Sequence, residues 1–71
     1  MKLPVLSGAE VIKILTKNFG FQTISQKGSH VKLKKDNLTT IIPLHPELAK
    51  GTLLEILDEC KIDRKDFLKY V

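Results

Sequence analysis

The sequence predicts an α+β fold in the order α-β-β-β-α: a three-stranded antiparallel sheet with helices packed on one face and a short helical turn at the C-terminus. Three observations predict it. Apolar residues recur at helical spacing near both ends, over residues 11–19 and 53–60. Between them, residues 21–42 hold three extended stretches rich in Val, Ile, Thr and Phe. Short polar connections separate those stretches, which suits a meander whose flanking helices cover one side.

The first helix is expected over residues 8–19. Ser7 followed by Glu10 fits a capping box. Val11, Ile12, Leu15 and Phe19 then form a stripe that Ile14 widens, with Lys13 and Lys17 on the wet side. Gly20 suits the residue just past the helix end, where a left-handed conformation costs Gly least. Residues 21–25 read as the first strand, and Gln26-Lys27-Gly28-Ser29 as a tight connection. Residues 30–35 alternate polar and apolar, the mark of a half-buried strand. Val31 and Leu33 then point one way, and His30, Lys32 and Lys34 the other. Asp36-Asn37 supplies hairpin chemistry, with Asn37 expected at positive φ. Residues 38–42 form the third strand, closed by Pro43. A loop over residues 44–50 leads to a second capping box, Thr52 with Glu55. Leu53, Ile56, Leu57 and Cys60 make the core face of the second helix, and Asp63 caps a last turn bearing Phe67 and Leu68.

At 71 residues the chain is expected to be one domain over 1–71, with little length for a deep cavity. Chemistry would sit on an open face, which favours a macromolecular substrate. Lys plus Arg is 12 against 8 acidic residues, for a net +4; Arg64 is the only Arg. A basic balance favours polyanions, though solubility alone also accounts for mild basicity. The single cysteine, Cys60, excludes an internal disulfide and reads as a buried thiol. Met1-Lys2-Leu3-Pro4-Val5-Leu6 is too short and broken for a signal segment, and no stretch reaches membrane-spanning length. A cytoplasmic protein with no membrane partner is the expectation.

The densest functional cluster is Lys27-Gly28-Ser29-His30-Val31-Lys32-Leu33-Lys34-Lys35. It sets one imidazole among four ammonium groups, with three of these side chains on one strand face at period two. Gly28 permits close backbone approach, and Ser29 offers a hydroxyl and an amide, so a phosphate cradle beside a proton-transfer group is chemically plausible. RNA suits such a sparse site, because its own 2′-hydroxyl attacks phosphorus once a base takes the proton. DNA lacks that hydroxyl. From spacing alone, a surface histidine on a solvated lysine strand is the plainer reading. His45 reads first as a loop residue whose imidazole holds the turn and second as a general-acid partner to His30. The two His and one Cys lack zinc-ligand spacing, Asp36 reads as a turn former, and Glu55, Asp58 and Glu59 read as a wet helix face. No metal and no cofactor are expected.

At Gln26-Lys27-Gly28-Ser29-His30 the chain resembles the HicA family of toxin messenger-RNA interferases. Further blocks carry the resemblance in order: Leu3-Pro4-Val5-Leu6-Ser7-Gly8 with Val11-Ile12 and Leu15, Gly20-Phe21, Ile42-Pro43-Leu44-His45, and Lys50-Gly51-Thr52-Leu53 with Ile56-Leu57. The resemblance implies a fold like the double-stranded RNA-binding domain, cleavage of mRNA, and silencing by a HicB-type antitoxin. It places the functional histidine at His30, with Gly28 and Ser29 beside it. Lys27, Lys32 and Lys34 complete the expected RNA-binding set. Two departures stand out: Gln26 replaces a frequent Arg, and Asp36-Asn37 lacks a frequent Gly. The alternatives are a non-catalytic RNA-binding module, for double-stranded RNA in particular, and an inactive domain that only binds a protein partner.

Overall fold

The computed structural model describes residues 3–71; Met1 and Lys2, which open the segment weighed above as a leader, lie outside them. The order is α1 (Gly8–Asn18), β1 (Gln22–Lys27), β2 (His30–Lys35), β3 (Leu38–Pro43), α2 (Lys50–Glu59) and α3 (Arg64–Leu68). The strands form one antiparallel sheet in the order β1-β2-β3, as the meander predicts.

α1 begins where its side chains say it should. Ser7 Oγ accepts the Glu10 N–H at 3.0 Å, and Glu10 Oε1 accepts the Ser7 N–H at 2.9 Å. These bonds hold the Glu10 carboxyl below its ordinary range, the main-chain bond to Ser7 most of all. The helix ends at Asn18, and Gly20 takes φ +77 just beyond. Phe21 then turns in, buried, as its N–H donates to the Leu15 carbonyl.

α2 departs from expectation. It begins at Lys50, two residues before the predicted box, with Ala49 as N-cap and no side-chain cap. The helix start is set by Leu48 instead: its side chain is buried and its N–H bonds the Leu6 carbonyl at 2.8 Å. The chain is anchored there and enters the helix at once, so Thr52 falls inside the first turn and caps nothing. The second hairpin also differs in detail, since positive φ falls on Asp36 (+53) and not on Asn37. Asp shares the short polar side chain that tolerates this conformation.

Helices on one face bury a core of Val11, Ile14 and Leu15 from α1, Val31, Leu33 and Ile42 from the sheet, Leu53, Ile56 and Leu57 from α2, and Phe67 from α3. Phe19, expected in the core, is only half-buried and meets Tyr70 edge-on at 5.4 Å.

Cys60 sits in this core, 3% exposed. Burial, reinforced by the Glu59 charge, raises its thiol from the ordinary 9.0 to about 11, against a smaller lowering by the nearby Thr40 hydroxyl. The folded state therefore prefers the protonated thiol, and the unfolded chain loses that proton first. This contribution is complete below pH 9 and is lost as pH rises toward 11, by as much as about 3 kcal/mol. Chemical denaturation at pH 8 and 10.5 should show a loss that is smaller in Cys60→Ala; equal losses would place the alkaline sensitivity elsewhere.

Candidate nucleic-acid interface

The uncovered sheet face is built by β2 and its two neighbours. Cross-strand partners share a face, so the register defines three rows. Lys27, His30 and Pro43 form the first; Ser25, Lys32 and Ile41 the second; Gln22, Lys34 and Thr39 the third. His30, Lys32 and Lys34 are exposed at period two while Val31 and Leu33 are buried behind them, as predicted. Ser25, Lys27, His30, Lys32 and Ile41 together line a shallow depression of about 500 Å³.

A bulge in β1 brings Ser25 and Lys27 to this face. The pairing slips between Thr23, opposite Leu33, and Ser25, opposite Lys32. The extra residue, Ile24, inverts the in–out parity. Phe21 and Thr23 therefore share the core side while Ser25 and Lys27 turn outward. Period-two counting from Phe21 alone misplaces them, so Ser25 was missed as a member of the site. Ile41 was missed too; it is 54% exposed beside Lys32.

The loop carrying Gly28 and Ser29 is tighter than expected. Lys27 pairs with His30, so β1 reaches two residues past the predicted Ser25 and the connection is two residues. Gly28 takes φ +61 and Ser29 has no positive φ, the pattern of a type II′ hairpin, which needs Gly first. A Cβ at Gly28 would meet nothing within 4 Å, so Gly28 serves this backbone conformation and not a close approach within the fold. The Gln26 side-chain amide donates to the Gly28 carbonyl at 3.0 Å. Leu44 N–H donates to the Ser29 carbonyl at 2.7 Å, tying the loop to the end of β3. Neither contact uses the Ser29 hydroxyl.

His45 acts through its main chain, contrary to the expectation for its imidazole. Its carbonyl accepts the Gly8 N–H at 3.0 Å, and its side chain is exposed with no hydrogen bond among the described residues. Gly8 was not anticipated as a site-positioning residue. It is buried where α1 crosses the end of β3, and a Cβ there would overlap the Pro43 carbonyl oxygen. Hydropathy and capping patterns give no signal for such a contact.

No carboxylate lies in the three rows, and the ion pair among the described residues joins Lys69 to Asp66 far along the chain. Glu55 and Glu59 border the rows past β3, where they share a depression with Lys32. Lys35 turns to the other side and lies over the Phe21 ring at 6.0 Å. No group of three or more His, Cys, Asp or Glu among the described residues is arranged to hold a metal. The face can therefore draw a phosphate backbone across its lysines and bring one imidazole against it.

A family model described as HicA toxin of bacterial toxin-antitoxin matches residues 8–62. No curated protein and no solved structure matches the chain. The matched span takes in α1, the whole sheet and α2, and so every residue of the three rows.

Proposed function

The chain belongs to the HicA toxin family of bacterial toxin–antitoxin systems, and from that premise we propose that it is a metal-independent endoribonuclease acting on mRNA in the cytoplasm. The observation that supports this best is the row of Lys27 and His30, next to Lys32, in exposed cross-strand rows that contain no carboxylate. In this reading His30 is the general base. It takes the proton of a 2′-hydroxyl, and the freed oxygen attacks the adjacent phosphorus. A bond from O2′ to phosphorus forms, the bond to the 5′-oxygen breaks, and the leaving oxygen takes a proton from solvent. Lys27, Lys32 and Lys34 steady the phosphate charge, while the Gly28-Ser29 turn presents its polar groups to the backbone. A HicB-type antitoxin covers this face and shields His30.

The decisive experiment is cleavage of a short RNA in excess EDTA, beside the same RNA with one 2′-deoxynucleotide at each cut site. The natural RNA should be cut to products ending in a 2′,3′-cyclic phosphate, and the substituted RNA should stay intact at those sites. Loss of cleavage in EDTA, or equal cleavage of both RNAs, would overturn the mechanism. Tight RNA binding without products would favour a binding module on the same face.

A further inference from the structure

β3 ends the sheet, so among the described residues no other strand lies on one side of it. The direction of its main-chain groups follows from the ladder. Leu44 N–H bonds the Ser29 carbonyl one step beyond the pair of His30 and Pro43. Bonded and unbonded pairs alternate in an antiparallel ladder. Ile42, Thr40 and Leu38 therefore turn their main-chain groups to β2, and Pro43, Ile41 and Thr39 turn theirs outward. Pro43 has no N–H to leave unpaired, which is where an edge strand tolerates proline. The outward groups of Thr39 and Ile41 carry no hydrogen bond among the described residues.

The two sheet edges are defended unequally. β1 is bulged at Ile24 and ends in Lys27, and both features deter pairing. β3 runs Leu-Thr-Thr-Ile-Ile over residues 38–42 without a charge, glycine or bulge. An edge of that kind accepts an added strand. Beside it lies a depression of about 390 Å³, with Lys32, Thr39 and Ile41 on the sheet side and two carboxylates, Glu55 and Glu59, against that single cation on the helix side. The buried Thr40 hydroxyl donates to Glu59 Oε1 at 2.7 Å and pins that carboxylate at the edge.

We propose that the β3 edge takes up an extended strand of another protein, one that alternates basic residues facing Glu55 and Glu59 with apolar residues beside Ile41. Backbone bonds to Thr39 and Ile41 hold the strand, and the carboxylates select its charge. A second copy of this chain fits poorly. Two β3 strands paired about a two-fold axis would put both α2 helices on one side, with Glu55 and Glu59 facing their counterparts. Like charges so placed repel. The inference rests on this edge and not on the RNA chemistry of His30.

The test titrates the intact chain with a capped seven-residue peptide alternating lysine and valine, and with its glutamate–valine counterpart. Binding is read by calorimetry and amide exchange. The lysine peptide should bind and slow exchange at the Thr39 and Ile41 amides, and the glutamate peptide should not. Glu55→Lys should weaken binding about tenfold. Ile41→Pro removes an outward N–H but no bond to β2, and should abolish the remaining protection; if it does not fold, Glu55→Lys decides alone. No binding, or shifts confined to the face around His30, would overturn the proposal. Protection of Thr39 and Ile41 that grows with protein concentration in the absence of peptide would also overturn it, by assigning the edge to a second copy.

Discussion

Alanine at His30 is expected to slow RNA cleavage by about 10²–10⁴-fold, the usual worth of one positioned general base. The fold should not register the change. His30 is exposed, none of its side-chain atoms is hydrogen-bonded among the described residues, and its strand pairing is a main-chain matter. Substitution at such a surface position stays within about 0.5 kcal/mol. A thermal melt matching the wild type beside a collapsed cleavage rate would place the loss in the chemistry. Lys32→Ala should behave differently. It should weaken RNA binding and flatten the dependence of log K on log salt by about 0.7, one phosphate contact on a single strand. A His30→Ala protein that cuts at the native rate would remove the imidazole from the mechanism and leave the lysines as a binding surface.

The second large effect concerns stability and lies away from the basic face. Gly8→Ala should destabilise the protein by about 3 kcal/mol, at the upper end of what overpacking costs. The added Cβ would overlap the Pro43 carbonyl oxygen and lie 2.9 Å from its carbonyl carbon and 3.1 Å from Leu44 Cα. All three obstacles are backbone, so no rotamer change relieves them. Either α1 lifts off or the end of β3 moves, and the bonds from Gly8 to His45 and from Leu44 to Ser29 lie on that path. In a domain of this size the loss corresponds to a midpoint lower by roughly 12–24 °C. Calorimetry would show it; an unchanged midpoint would mean that α1 and β3 adjust with little strain.

The parts of the site legible from sequence belong to β2. It is the central strand, paired on both sides in regular register with β3, so alternation alone sorts Val31 and Leu33 from His30, Lys32 and Lys34. β1 resisted the same reading because all six of its residues are exposed and a bulge inverts its parity midway. Nothing in Phe21 to Lys27 announces the bulge, which lies between a buried Phe21 and the closed turn at Gly28. Capping chemistry located α1 and α3, where Ser7 and Asp63 both bond helix N–H groups. It failed at α2, where Leu48 fixes the chain before Thr52 has any role. Side-chain signals hold where local bonds decide and fail where a tertiary anchor does. Gly8 is the extreme case, a residue set wholly by what crosses above it.

The rows of the open face, which hold three lysines and no acid, also make the molecule electrically lopsided. Of twelve cations, Lys27, Lys32 and Lys34 lie there, leaving nine against eight acids over the rest of the chain. Most of the excess charge is thus displaced from the centre of mass toward one surface. In the field of a polyanion a body of that kind feels a torque as well as a pull, and it turns the sheet forward before contact. In the proposed reaction, encounters would then begin in the orientation that brings His30 to the phosphates, and the rate of productive encounter should fall steeply as salt shortens the reach of that field.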